Sequence, residues 1–131
     1  MTPGAPATGK RIVVVDDEEV VRDFVACALE IEGYEVASFG EGAAALTYLA
    51  DHPVDAILAD CFMPGMDGRQ LYDAIDRLGP ALARKVIFIS GNTRDERVEA
   101  LLQDTGAQAL QKPFHVADVV GIVQRIISEA R

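Results

Sequence analysis

Residues 54–68 read Val54-Asp55-Ala56-Ile57-Leu58-Ala59-Asp60-Cys61-Phe62-Met63-Pro64-Gly65-Met66-Asp67-Gly68. From Val54 to Ala59 the stretch is an apolar run with a single acid, the pattern of a strand covered on both faces, and it ends on a carboxylate, Asp60. Pro64 fixes φ and the glycines around it permit positive φ, so Met63 to Gly68 is expected to form a compact turn. A carboxylate at the carboxyl end of a central strand sits where open α/β sheets keep their ligand sites. Taken alone, Asp60 reads equally well as a cap of its loop; the rest of the chain has to decide.

Upstream, Ile12-Val13-Val14-Val15 is a β-branched run that reads as a buried strand and stops at Asp16-Asp17-Glu18-Glu19. Acids at a helix start complement the positive end of its dipole, which accounts for Glu18 and Glu19. It accounts less well for two aspartates at the tip of an apolar strand, where like charges repel. A helix follows with Val21, Phe24, Val25 and Ala28 on one apolar face, Cys27 expected in the core beside them, and Gly33 as its αL stop. Tyr34 to Ser38 reads as a second strand, and residues 41–51 as an alanine-rich helix ended by His52-Pro53.

Downstream, Asp67 and Gln70 resemble a capping box opening a helix with Leu71, Ala74, Ile75 and Leu78 on its inner face, terminated by Gly79-Pro80. Lys85 to Ile89 is a fourth strand ending at Ser90-Gly91-Asn92. Thr93 and Glu96 form a second capping-box pair, starting a helix through Val98, Leu101 and Leu102 to Gly106. Ala107 to Gln111 is a fifth strand ending at Lys112-Pro113-Phe114, and a last helix carries Val119, Ile122, Val123 and Ile126. Five strands alternating with five helices predict an α/β fold with a doubly wound parallel sheet.

At 131 residues, half hydrophobic and a quarter charged, the chain suits one domain over 10–131, with the Pro/Gly-rich residues 1–9 as a disordered leader or linker. A net charge of −9 disfavours direct binding of nucleic acid or an anionic membrane. No apolar run approaches the ~20 residues that span a bilayer. Cys27 and Cys61 have no motif spacing and read as reduced thiols, so a cytoplasmic location is expected.

Four of the five strands end on residues suited to phosphoryl chemistry: Asp16 and Asp17, Asp60, Ser90 and Lys112. In a parallel sheet those ends share one edge and converge. Three massed carboxylates call for a cation, and hard oxygen ligands suit Mg²⁺. A lysine and a hydroxyl beside them could neutralise and hydrogen-bond a phosphoryl group, and a carboxylate could itself be the nucleophile.

These markers carry a resemblance. Asp16-Asp17, Asp60 ahead of Met63-Pro64-Gly65-Met66-Asp67-Gly68, Ser90-Gly91 and Lys112-Pro113-Phe114 together are similar to the CheY-like receiver domains of two-component response regulators, over residue 11 to about 128. The resemblance implies the flavodoxin-like strand order 2-1-3-4-5 and a Mg²⁺-dependent phosphoacceptor role for Asp60, fed by the phosphohistidine of a sensor histidine kinase or a histidine phosphotransfer domain. It implies metal ligation by Asp17 and Asp60, by Asp16 through water, and by the backbone carbonyl of Phe62. Lys112 would pair with Asp60 and then with the phosphoryl oxygens, Ser90 would be the switch hydroxyl, and the Lys112–Pro113 peptide would be cis. Such a domain catalyses its own phosphorylation and slow dephosphorylation and is not a conventional enzyme.

Members often place an aromatic three residues before the lysine to relay the switch; here Ala109 stands there. The stretches around Ser90 and Lys112 are similar to receivers fused to hybrid histidine kinases, and both a stand-alone receiver and a piece of a longer protein stay open. The family commonly dimerises through its fourth helix, fifth strand and fifth helix, although no residue here demands it. A haloacid-dehalogenase-like phosphatase would want a second Asp where Phe62 stands, and no Gly-x-Gly-x-x-Gly follows the first strand to bind a dinucleotide. A phosphorylation-independent adaptor on the same scaffold is the remaining alternative.

Overall fold

A computed structural model of the chain describes residues 8–129. The sheet contains β1 (Arg11–Val15), β2 (Glu35–Phe39), β3 (Ala56–Asp60), β4 (Val86–Ser90) and β5 (Gln108–Gln111). All pairs are parallel, in the order β2-β1-β3-β4-β5. The helices are α1 (Glu19–Ile31), α2 (Gly42–Asp51), α3 (Gly68–Leu78), α4 (Pro80–Ala83), α5 (Glu96–Thr105) and α6 (Val116–Glu129). The doubly wound fold is as expected from the alternation of elements, and the strand order is the one the resemblance implies.

Alternation along β1 divides the core in two. Val13 and Val15 point to the layer built by α2, α3, α4 and α5, while Ile12 and Val14 point to the layer of α1 and α6. The central strands β3 and β4 are buried at every position, which is why they read as continuous apolar runs. Val119, Ile122, Val123 and Ile126 are all buried on α6.

Several local expectations need correction. The described residues form six helices because Gly79-Pro80 ends α3 and also begins α4, with Pro80 in the first turn, where its missing N–H removes no bond. Cys27 is exposed, not core: α1 turns Val25, Ala28 and Leu29 inward, and two residues along a helix faces away from Val25. Leu78 is likewise exposed. The cap of α5 is Asp95, whose carboxylate accepts from the Arg97 amide, not the Thr93/Glu96 pair. Residues 92–95 form a turn closed by Asp95 N–H donating to the Asn92 carbonyl at 3.2 Å, so Thr93 lies outside the helix and its hydroxyl bonds Gln111. The Asp67/Gln70 capping box is present in both directions. Gly33 and Gly106 take positive φ just after α1 and α5. Of the segment expected as leader, residues 1–7 lie outside the described residues, and Thr8 donates to the Gly33 carbonyl at 3.0 Å.

Candidate functional site

The carboxyl ends of β1 and β3, neighbouring strands of the sheet, bring three acids together. Asp16, Asp17 and Asp60 each offer an oxygen, and these oxygens lie within 4.8 Å of one another. Asp16 is fully buried and Asp60 nearly so, whereas Asp17 is exposed. Burial, then the neighbouring charge of Asp16, pushes the Asp60 carboxyl up to about 7. Asp16 is also raised, chiefly by burial. Two desolvated carboxylates side by side are held at a cost in free energy that a cation would remove.

Protein groups answer only part of that charge. Asp16 Oδ1 accepts from the Glu18 amide at 2.9 Å, and Asp60 Oδ1 accepts a longer 3.3 Å bond from the Phe62 amide. Asp16 Oδ2 is the one buried side-chain oxygen without a hydrogen-bond partner among the described residues. An orphaned carboxylate oxygen beside two further carboxylates is an all-oxygen donor set, the kind that suits Mg²⁺.

Lys112, at the end of β5, supplies the local cation. Its Nζ lies 3.6 Å from Asp16 Oδ2 and 4.0 Å from Asp60 Oδ2, but 2.6 Å from Glu18 Oε1. Burial pulls the Lys112 ammonium down, yet the Glu18 bond and the charges of Asp60 and Asp16 outweigh it, and the net shift is upward. The Lys112 amide donates to the Ser90 carbonyl at 2.8 Å, and the Lys112–Pro113 peptide is cis. Ser90 is 1% exposed at the tip of β4, where its Oγ accepts from the Asn92 amide at 3.1 Å.

The loop that follows Asp60 is held from below and outside. Gly68 N–H donates to the Cys61 carbonyl at 2.8 Å, and a Cβ on Gly68 would stand 2.9 Å from Cys61 Cα. Cys61 is buried and its thiol is pushed up to about 12, mainly by burial and then by Asp60, so it packs as an apolar group rather than a nucleophile. Phe62 is 43% exposed, with the Arg97 guanidinium over its ring at 4.4 Å from the centroid. Ala109 is half-buried on β5 and lines a groove with Gly121 and Arg125 of α6.

The structure therefore brings Asp16, Asp17, Asp60 and Lys112 into one constellation, with Ser90 on the neighbouring strand tip. Two contributors were missed from sequence. A helix-dipole role accounts for Glu18 in the sequence, yet its side chain is the nearest partner of Lys112. Arg22 donates to the Asp16 carbonyl at 2.7 Å, bracing the acidic loop. The unusual four-acid run was the signal available for Glu18; none was available for Arg22.

Residues 12–124 match the response regulator receiver domain family. The chain belongs to that family. The receiver is 35% identical over 125 residues to the response regulator receiver protein CpdR of Brucella abortus, covering 92% of this chain and 99% of CpdR. It is 34% identical over 115 residues to the DNA-binding transcriptional regulator NtrC of Escherichia coli, covering 88% of this chain but only 24% of NtrC. Among solved structures, a CheY-like receiver from Methanospirillum hungatei superposes with a TM-score of 0.83 at 27% identity, covering 92% of this chain and 95% of that one. The receiver domain of the sensor histidine kinase PA1611 from Pseudomonas aeruginosa, with a magnesium ion coordinated in its active-site cleft, gives 0.81 at 30% identity, covering 92% and 99%. No helix among the described residues is long and apolar enough to cross a membrane.

Proposed function

We propose that this receiver accepts a phosphoryl group on Asp60 from the phosphohistidine of a histidine kinase or a histidine phosphotransfer domain, and changes conformation to signal. The observation that carries this is the cluster of Asp16, Asp17 and Asp60 with its unpartnered Asp16 oxygen and the Lys112 ammonium at 4.0 Å from Asp60.

Asp17 and Asp60 would hold Mg²⁺ directly, Asp16 through water, and the Phe62 carbonyl would complete the protein's share. When bound, the metal supplies the positive charge that keeps Asp60 ionised and draws the phosphoryl oxygens to it. An Asp60 oxygen forms the new O–P bond as the donor's N–P bond breaks, the electron pair returning to the imidazole nitrogen. Lys112 leaves its carboxylate partners for the phosphoryl oxygens, and the Ser90 hydroxyl donates to one of them. With Ala109 in β5, the signal passes through the β4–α5 backbone rather than through a rotating aromatic. The domain proper is residues 10–131, and the receiver is a signalling switch whose only chemistry is on itself.

Beside Lys112 runs a groove of about 290 Å³ walled by Val20, Val21, Phe24, Pro113 and Phe114. Val20 is 82% exposed, and Phe24 meets Phe114 at 5.9 Å between ring centroids. A donor helix seated there brings its phosphohistidine over the acidic cluster. Transfer from a phosphorylated donor domain is expected to require Asp60. Val20→Glu is expected to slow transfer from the donor roughly tenfold relative to labelling by acetyl phosphate, since apolar anchors dominate such contacts. Transfer that survives Asp60→Asn contradicts the acceptor role. An unchanged ratio in Val20→Glu contradicts the docking groove.

A further inference from the structure

Glu18 occupies the N-cap of α1 with extended backbone angles of −84° and 109°, yet its side chain caps nothing. Short side chains such as Ser, Thr, Asp and Asn at this position accept from the first-turn amides, whereas the longer Glu side chain is left free to reach elsewhere. Here the carboxylate instead reaches a residue 94 positions away, meeting Lys112 Nζ at 2.6 Å. Its backbone is anchored for this, because the Glu18 amide donates to Asp16 Oδ1 at 2.9 Å. Lys112 is farther from both buried acids, at 3.6 Å and 4.0 Å. The charge-assisted bond to Glu18 is the one contact the ammonium makes at hydrogen-bond distance, the two buried acids lying beyond it. Glu18 is also not one of the three carboxylates that gather to hold a cation. Loading that site compensates Asp16, Asp17 and Asp60 and leaves Glu18 as the uncompensated partner of the ammonium.

We infer that Glu18 is a positioning residue that holds Lys112 in a resting place away from Asp60 and so slows phosphoryl acceptance. This rests on the acceptor role proposed above. During transfer an Asp60 oxygen bonds to phosphorus as the donor's bond to phosphorus breaks and the leaving group keeps the electron pair. Lys112 has to meet the incoming phosphoryl oxygens, and to do so it must first release Glu18. The geometry suits a reversible tie: the Glu18 side chain is 59% exposed and the Lys112 side chain 21%, so the carboxylate can swing into water when the ammonium leaves.

The test is the second-order rate constant for labelling by acetyl phosphate in Mg²⁺, measured for the wild type, Glu18→Gln and Glu18→Asp, with thermal midpoints alongside. Glu18→Gln removes the charge. Glu18→Asp keeps the charge and a good helix cap but shortens the arm by one methylene, breaking the contact. Both variants are expected to be faster, by roughly two- to fivefold, the range that releasing a partly exposed ion pair allows. An unchanged rate in Glu18→Gln overturns the inference. A faster Glu18→Gln beside a wild-type-like Glu18→Asp also overturns it, since charge repulsion of the anionic donor would then be the whole effect. No labelling of the wild type removes the acceptor reading and this inference with it, an outcome distinct from labelling that Glu18 does not govern.

Discussion

Asp60→Asn is expected to raise the thermal midpoint of the metal-free receiver at neutral pH and to flatten its dependence on pH. Burial and the adjacent Asp16 charge lift the folded-state pKa of Asp60 from 3.8 to about 7. A raised carboxyl binds its proton more tightly in the folded state than in the unfolded chain. Its contribution to stability is therefore fully present below about pH 4 and is lost as pH rises through about 7. At pH 7.5 the wild type carries a desolvated charge that asparagine does not. The difference is expected to be about 2 kcal/mol, against an upper bound of about 4 kcal/mol for a shift of this size, and roughly 5–10 °C in midpoint for a domain of this length. Asp16 shifts in the same direction, so the quantity to follow is the wild type minus the variant across pH 4 to 8. Adding Mg²⁺ should stabilise the wild type and close the gap, because a ligand of the folded state alone shifts the equilibrium toward it. A variant less stable than the wild type at pH 7.5 without metal would contradict the strained-carboxylate account.

Gly68→Ala is expected to be the most damaging single-methyl change near the site. Its Cβ would stand 2.9 Å from Cys61 Cα and 3.1 Å from the carbonyl oxygens of Asp60 and Cys61, all backbone atoms that cannot rotate away. Either α3 lifts off the acceptor loop, breaking the Gly68 N–H bond to Cys61, or the loop carrying Asp60 moves. Overpacking of this kind costs about 2–3 kcal/mol, less a few tenths recovered from helix propensity. Displacing the acceptor should slow labelling by acetyl phosphate at least tenfold, given how steeply reactivity depends on alignment. Gly121→Ala in α6 is the control, because a Cβ there meets nothing within 4 Å, and it should be neutral or slightly stabilising. Equal midpoints and rates for Gly68→Ala and the wild type would contradict the role given to this contact.

The fold was legible because its deciding features are local. Ile12–Val15, Ile57–Ala59 and Val86–Ile89 are apolar runs too short for helices, and Gly33, Gly106 and the Asp67/Gln70 box punctuate the helices by steric and hydrogen-bonding rules that need no tertiary context. The acidic cluster was legible because parallel topology brings the ends of successive strands to one edge, so Asp16, Asp17 and Asp60 could be placed together from their positions alone. What escaped depends on competition that a sequence does not display. Thr93 and Asp95 are both good caps, and the turn at Asn92 decides between them. Cys27 lies two residues from Val25, close enough to pass for the same stripe, yet the helix turns it outward. Pro80 ends one helix and begins another. The four-acid run marks Glu18 as unusual, but not where its side chain goes, because its partner is brought in by β5 from the far end of the chain.

Whether Asp60 is a metal-dependent phosphoryl acceptor is read from intact-protein mass after incubation with acetyl phosphate and Mg²⁺. Wild type, Asp60→Asn and a wild-type sample in EDTA should be run side by side. A single phosphoryl addition in the wild type, absent from both controls, is the expected result. No addition in the wild type, together with no detectable Mg²⁺ binding, would contradict the account and leave a phosphorylation-independent adaptor as the better description of this receiver.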